Sequence, residues 1–506
     1  MFKSKFWLTV FFVYQAFSTA LIAIGVWPKE IIYLNLGLQL AAVCFFNLEN
    51  AIYSVVLSTP FYLVIPNSKF DSFSAWRIVF PVLFLVFLFK DKNYFQNGLQ
   101  KKIEFFKWDK YLKYLFYILL LSIALADNKI PGLKKIAFGA NIYLLYVVIF
   151  NVVKTKEQIL SLIKTSFVAT GAIVLFGFAQ LFSSAFGNIY YFWQYWATFP
   201  ARFYYGTTFA DTALYSNSWF TATKGAWSLR MFSILPDSHA FAVIAMFSIP
   251  FASMLLFFAK SNWQKALYWI YIALAMLAIS FSGTRGVWVG ILAPVFILGY
   301  LYAKHFGREI IKPIAKPFLI FFIVLALSPF IQNAINHLGK GNADFLQRAE
   351  TIYDLNESSN AGRIKIWKDT LKLSLAHPLL GVGYGNFQLS VSDQQSKALN
   401  LPKQYITAHS QYFDILAEAG LVGLIFFLLY LENIGKIFWQ FFKSHYLFFE
   451  DGFVFFVICF AAYFIWLFAY SLFDGTIMND RVLMFFFIDL AIAGNIIKIY
   501  SRENIN

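Results

Sequence analysis

A chain of 506 residues that is 60% hydrophobic and 13% charged, with 63 phenylalanines, cannot cover its apolar surface in water; soluble domains carry about 25% charged residues. The formal net charge of +15 sits largely in short lysine-rich connections between apolar runs. That is the pattern of topology signals and headgroup contacts, not of a nucleic-acid surface. Cys44 and Cys459 both lie in apolar runs and offer no disulfide framework, metal motif or redox pair.

A membrane span needs about 20 apolar residues. Read in chain order, candidate spans cover 6–27, 31–47, 51–66, 72–90, 112–126, 134–153, 158–184, 232–259, 264–283, 285–303, 314–335, 411–432, 452–473 and 481–500. Met1–Lys5 and the run behind it read as an uncleaved first helix, because no small-residue cleavage site follows. The second and third spans are short and are separated by Asn47, Glu49 and Asn50, so they read either as two spans or as a broken pair. The expected architecture is therefore all-α: a polytopic bundle of 12–14 helices forming one integral membrane domain over 1–506.

Lysine and arginine bias sets the orientation. Lys3, Lys5, seven lysines between Lys90 and Lys113, Lys154, Lys156, Lys260, Lys265, Lys304, Arg308, Lys312, Lys316, Lys436, Lys443, Lys498 and Arg502 share one side. That side is expected to be cytoplasmic and to hold both termini, whereas Lys134 and Lys135 fall on the other side, against the bias. Two long loops then face outward, 186–231 and 337–408. The first is rich in Tyr190, Tyr191, Trp193, Trp196, Tyr204 and Tyr205, residue types that favour the membrane interface and also stack on sugars. The inverted repeats common in transporters are absent.

Four outward stretches carry residues capable of chemistry. Arg230 precedes Pro236-Asp237-Ser238-His239, where ionisable groups at the membrane boundary require a cavity or a partner. The turn Ser280-Phe281-Ser282-Gly283-Thr284-Arg285-Gly286 places a guanidinium at a helix start. There it opposes the helix dipole but combines with it to suit an anion such as a diphosphate. Arg363 repeats that arrangement ahead of a helix whose Ile364, Trp367, Leu371 and Leu375 form an apolar stripe, expected to rest on the membrane surface or on the bundle. A Gly-x-Gly-x-Gly run, Gly381 to Gly385, follows no strand and so reads as a structural loop covering a cavity, not a nucleotide fingerprint. His409 stands where the large loop re-enters the membrane, with Asp414 and Glu418 on one helical face behind it. An imidazole among carboxylates fits a general base, and the alternative is a loop-anchoring histidine. No Asp-x-Asp, Asp-x-Glu or Glu-x-Asp occurs, so no carboxylate-held divalent metal is expected.

In order and spacing, the pieces from Arg230 to His239, Ser282-Gly283-Thr284-Arg285-Gly286, Arg363-Ile364-Lys365-Ile366-Trp367 through His377-Pro378-Leu379-Leu380-Gly381-Val382-Gly383, and Ala408-His409-Ser410-Gln411 through Glu418-Ala419-Gly420 resemble the O-antigen ligase/Wzy-type polymerase superfamily over about 230–430. Pro236-Asp237 departs from the Pro-Asn form common there. The resemblance implies a GT-C-like, metal-independent, inverting glycosyltransferase that needs no cofactor. It implies an undecaprenyl diphosphate-linked glycan as donor, lipid A-core or a second lipid-linked glycan as acceptor, and action at the periplasmic face of the inner membrane. It further implies that Arg285 and Arg363, with Arg230, hold the diphosphate, that His409 accepts the proton of the attacking hydroxyl, and that Asp414, Glu418 and His239 support it. The rival from another class is a lipid-linked sugar flippase, which requires cations along a path through the membrane.

Overall fold

The computed structural model describes residues 2–66, 71–90, 103–215, 219–223, 226–305, 311–338, 352, 354, 358–390, 407–445 and 450–503. Much of the expected 337–408 loop and of the lysine-rich 90–113 connection lies outside these residues.

The chain is a helical bundle. Its helices are α1 (Phe2–Ala23), α2 (Ile31–Phe45), α3 (Leu48–Leu57), α4 (Trp76–Lys90), α5 (Asp109–Leu125), α6 (Lys129–Val152) and α7 (Lys156–Phe186). Three short helices follow, α8 (Ile189–Thr198), α9 (Pro200–Tyr205) and α10 (Thr207–Tyr215), and then an antiparallel hairpin, β1 (Phe220–Thr223) and β2 (Ala226–Leu229), pairing Phe220 with Leu229. The second half holds α11 (Ser238–Leu255), α12 (Asn262–Phe281), α13 (Arg285–Gly290), α14 (Leu292–His305), α15 (Ile311–Leu338), α16 (Ser358–Ala376), α17 (Phe387–Ser390), α18 (Gln411–His445), α19 (Gly452–Tyr470) and α20 (Asp480–Glu503).

Among the described residues, eight helices are long and apolar enough to cross a membrane: Phe6–Ala23, Lys129–Val152, Lys156–Ser184, Ser238–Phe258, Asn262–Phe281, Gln411–His445, Gly452–Tyr470 and Asp480–Arg502. The last two and Ser238–Phe258 are the most enclosed and form the centre of the bundle. Several expected spans are shorter. The 31–66 region is the broken pair: α2 and α3 meet at Asn47, whose side chain caps α3 by accepting the Asn50 N–H at 2.9 Å. At 1.5 Å per residue they reach about 22 and 15 Å, short of the ~30 Å hydrocarbon layer. The 285–303 run divides between Gly290 and Leu292. Pro294 lacks the N–H that Gly290 would accept, and its ring crowds that carbonyl.

Lys135 lies at the same end of the bundle as the start of α18, where its Nζ is 2.8 Å from both Glu418 oxygens. Its position follows from this pair and not from a charge bias. Glu418 also receives the Phe387 N–H at 3.4 Å, and Ser122 donates to the carbonyls of Glu418 and Leu380 at 2.7 and 2.9 Å. The Gly-rich run is thus a clamp between α5, α6 and α18. It closes on a kink in α18 at Gly420, φ 67°, where a Cβ would stand 2.2 Å from the Leu379 oxygen.

Gly420→Ala is expected to destabilise the protein by about 2 kcal/mol or more, because both the backbone angle and the contact forbid a side chain. Gly435→Ala, on the same helix where a Cβ meets nothing within 4 Å, should stabilise by about 0.5–1 kcal/mol. Thermal unfolding of the two variants in detergent checks the contrast.

Candidate functional site

The site is built at one end of the bundle, starting from the strap that joins the hairpin to α11. The Arg230 N–H donates to the Trp219 carbonyl at 2.8 Å, and the Met231 N–H to that of Phe281 at 3.0 Å. Trp219 stacks on Phe232 with centroids 4.6 Å apart and donates its indole N–H to the Pro236 carbonyl at 2.7 Å. Ser233 takes a left-handed conformation, φ 55°, which costs a non-glycine residue roughly 1–2 kcal/mol. Its N–H donates to Gln180 Oε1 at 2.9 Å, its hydroxyl to the Ile173 carbonyl at 2.7 Å, and its carbonyl accepts from Gln180 Nε2 at 3.2 Å. Three buried bonds at about 1 kcal/mol each offset the strain and fasten the strap to α7.

The fastened strap directs Arg230 inward, to 8% exposure. Its Nε donates to the Ser282 carbonyl at 3.0 Å and its Nη2 to Thr284 Oγ1 at 3.4 Å. Gly283, φ 62°, lets the Ser282–Thr284 turn wrap the guanidinium, its Cβ direction meeting Arg230 at 3.5 Å. Two expected stretches, one before α11 and one before α13, are therefore a single structure. Burial, partly opposed by Asp237 and reinforced by crowding from Arg363 and Arg285, lowers the Arg230 guanidinium to about 10, so it stays charged.

His239, in the first turn of α11, lies 3.3 Å from Arg230 Nη2 through its Nε2. A guanidinium only donates, so Nε2 accepts and the ring proton is assigned to Nδ1. Nδ1 is 2.6 Å from the Tyr470 hydroxyl and 3.4 Å from Asp474 Oδ2. The same Asp474 oxygen lies 3.7 Å from His409 Nδ1, while Oδ1 accepts from Thr476 Oγ1 at 2.5 Å. Burial opposes the charge on Asp474, but the two imidazoles and Arg363 more than reverse this and hold its carboxyl well below the usual carboxylate range. His409 itself is left-handed, φ 48°, with its side chain 39% exposed.

The helix carrying Arg363 reaches this cluster through Trp367, whose indole donates to the Ala408 carbonyl at 2.9 Å, next to His409, and packs on Phe413. The apolar stripe divides between the two expected surfaces, with Trp367 on the bundle and the leucines facing away from it. The residues buried against α18 are Ile366, Thr370 and Ser374, while Leu371 and Leu375 are 43% and 80% exposed. Thr370 and Ser374 are tolerated inside because their hydroxyls donate to the carbonyls of Ile366 and Thr370 at 2.8 Å. The leucines turn outward, as suits a helix bordering lipid.

Of the expected site residues, Arg230, His239 and His409 are joined directly or through Asp474, and Arg285 and Arg363 lie close enough to act on Arg230. Asp414 accepts from the Ala408 N–H at 3.2 Å and backs the Asp474 turn, its Oδ2 lying 2.9 Å from where a Gly475 Cβ would be. Glu418 belongs to the clamp with Lys135. Sequence reasoning missed Asp474, Tyr470 and Thr476. The available signal was an ionisable residue just past the 452–473 span, in an outward turn.

Asp237 caps α11 by accepting the Ala240 N–H at 2.8 Å, a role that asparagine fills equally well. The departure from Pro-Asn therefore leaves local structure intact.

A multi-pass helical membrane protein with guanidinium groups and imidazoles gathered at one end of its bundle is the class these features define. Residues 270–428 match the family model described as O-antigen ligase, a similarity that supports the O-antigen ligase/Wzy superfamily and points to a glycosyltransferase-like membrane enzyme. A Haemophilus influenzae protein described as uncharacterized is 24% identical over 342 residues, 65% of this chain and 73% of that one. Arg285, Arg363 and His409 lie inside the matched residues, and Arg230, His239 and Asp474 outside them.

Burial first, then Asp474, push the Asp237 carboxyl up to about 6. A raised carboxyl favours the folded state while protonated. This contribution is complete below the unfolded value near 4 and is lost as pH rises through about 6. Unfolding measured between pH 4 and 8 should show wild-type stability falling across that window and a flatter profile for Asp237→Asn.

Proposed function

We propose that this protein is an inner-membrane transferase that moves a glycan from undecaprenyl diphosphate to an acceptor, lipid A-core, at the periplasmic face. The observation that carries the reading is the closeness of Arg230, Arg285 and Arg363 to a half-buried His239–Asp474–His409 array. Supporting it is the O-antigen ligase match, which spans two of the three arginines and His409.

The chemistry follows from these groups. A hydroxyl of the acceptor attacks the anomeric carbon from the face opposite the diphosphate, so configuration inverts. As the new C–O bond forms, the bond to the diphosphate oxygen breaks and its electron pair leaves on undecaprenyl diphosphate. Arg230, Arg285 and Arg363 neutralise the charge that develops there. Each well-placed donor of this kind is worth about 10²–10³ in rate. The hydroxyl proton passes to His409 Nε2, general-base help worth roughly 10²–10⁴. Asp474 positions His409 by fixing Nδ1 and leaving Nε2 toward the acceptor. No metal is required in this scheme, because fixed guanidinium groups carry the counter-charge.

Reconstitution of the full chain with an undecaprenyl diphosphate-linked glycan tests the reading. Glycosylated lipid A-core is the expected product when that acceptor is offered, whereas a ladder built on the carrier would identify a polymerase instead. Arg363→Ala and His409→Ala should each abolish product while the protein still inserts, and full activity in both would overturn the assignment. Asp474→Asn should lower kcat by about 10²-fold or more with KM little changed. EDTA should leave the rate unaltered, and loss restored by a divalent ion would refute the metal-free scheme.

A further inference from the structure

Two more arginines stand in first turns at the site end, Arg77 of α4 and Arg481 of α20, and they differ in how they are held. Arg481 is 1% exposed. Its Nη2 donates to the Tyr62 carbonyl at 2.8 Å, its Nη1 to the Tyr205 hydroxyl at 3.1 Å and to Asp480 Oδ1 at 3.4 Å, and its guanidinium lies over the rings of Tyr204 and Tyr205. It is a structural cation held through both terminal nitrogens, although its Nε, like that of Arg77, is buried without an acceptor. Arg77 is half-buried, and among the described residues nothing accepts a hydrogen bond from its side chain. Its Nε is buried and unsatisfied. The guanidinium is held instead by aromatic faces, 5.7 Å from the Phe73 centroid and 5.4 Å from that of Trp76.

The nearby carboxylate does not satisfy it. Asp480 uses Oδ2 to accept from Trp76 Nε1 at 3.2 Å and Oδ1 for Arg481, and forms no ion pair with Arg77. Beside it, Asn141 donates to the Arg77 carbonyl at 2.9 Å, while Asn141 Oδ1 is also buried without a partner. Asp480 favours the charge without bonding to it, so the half-buried guanidinium keeps an unmet hydrogen-bonding capacity, and at a membrane boundary such a group ordinarily serves a ligand. The planar fork, with rings fixing its plane, suits bidentate contact with phosphate, and the α4 N-terminus adds positive potential there. The patch adjoins the transfer site, because the Tyr205 hydroxyl that receives Arg481 donates to the Ile234 carbonyl at 2.7 Å, within the strap between Arg230 and Asp237.

We propose that Arg77 binds a phosphate of the second lipid-linked substrate, the acceptor, while Arg230, Arg285 and Arg363 hold the donor. This rests on the transferase reading, since transfer requires both substrates bound together and each membrane-anchored glycolipid offers phosphate.

The test uses the full chain in nanodiscs, with farnesyl diphosphate as probe and farnesol as the phosphate-free control. In an Arg363→Ala background, where the donor cluster is impaired, Arg77→Gln should weaken farnesyl diphosphate binding by about 10-fold or more and leave farnesol unaffected. Arg77→Lys should recover part of the loss, and the melting temperature of all variants should stay close to wild type. In turnover assays, Arg77→Gln should raise the acceptor KM about 10-fold while donor KM and kcat stay near wild type. Unchanged probe binding, or a donor KM effect equal to the acceptor effect, would overturn the proposal. So would displacement of the probe by phosphatidylglycerol at bilayer concentrations, which would assign Arg77 to bulk headgroups. Should the wild type make no glycan product while Arg77→Gln still loses probe binding, the transferase reading falls and the phosphate site stands.

Discussion

One carboxylate oxygen governs the site. Asp474 Oδ2 lies 3.4 Å from His239 and 3.7 Å from His409, imidazoles borne by segments 170 residues apart in the chain. His239 in turn receives Arg230, and Arg230 is wrapped by the turn that begins α13. Removing the negative charge from this position would leave the repulsion among the guanidinium groups at Arg230 to be opposed by the Asp237 carboxylate. The surrounding backbone is correspondingly over-determined: Ser233 and His409 are both left-handed, and both lie on segments that deliver a site residue. Strain of this kind persists only where packing and hydrogen bonds fix the geometry.

A second constraint comes from placing cations at helix starts. Arg77, Arg285 and Arg481 occupy first turns, where the helix dipole disfavours them, whereas Arg363, expected at a helix start, lies a full turn inside α16, which begins at Ser358. The cost is met in different ways. Arg481 is embedded in carbonyl, hydroxyl, carboxylate and ring contacts. Arg285 and Arg363 lie close enough to Arg230 to oppose its charge, and in the proposed reading a bound anion would offset that repulsion. Arrangements that are unfavourable empty and favourable when filled are expected of a binding site for a strongly charged ligand.

The clamp of Lys135, Glu418 and the glycine-rich run has a different task. It locks the α5–α6 turn to the kinked helix α18 and so fixes the height at which that helix emerges from the bundle. Because Gln411 bonds to Ser471 at the α18 entrance, that height also sets where His409 stands relative to the Asp474 turn. A glutamate that looks like a catalytic helper in the sequence is thus an anchor for the residue it seems to assist.

Hydrophobic runs and charge placement determined, from the sequence alone, that this is an all-α chain in a membrane, because the solvent imposes that pattern residue by residue. Arg230, Arg285, Arg363 and His409, the residues of the proposed site, were conspicuous too as ionisable groups at the edges of apolar runs, and the structure brings Arg230 and His409 to the same Asp474-centred cluster. Other features depended on tertiary structure. Whether 31–66 spans twice turned on the packing of two short helices around Asn47, which hydropathy does not record. Which face of α16 is buried turned on a tryptophan bond to Ala408 and on hydroxyls that satisfy themselves within the helix, which leaves Leu371 and Leu375 on the outer face. The pairing of Asp474 with two distant histidines, and the lack of a hydrogen-bond acceptor for the Arg77 side chain among the described residues, have no local signature at all. Such relations are set by distances between segments far apart in the chain, and only the folded bundle creates those distances.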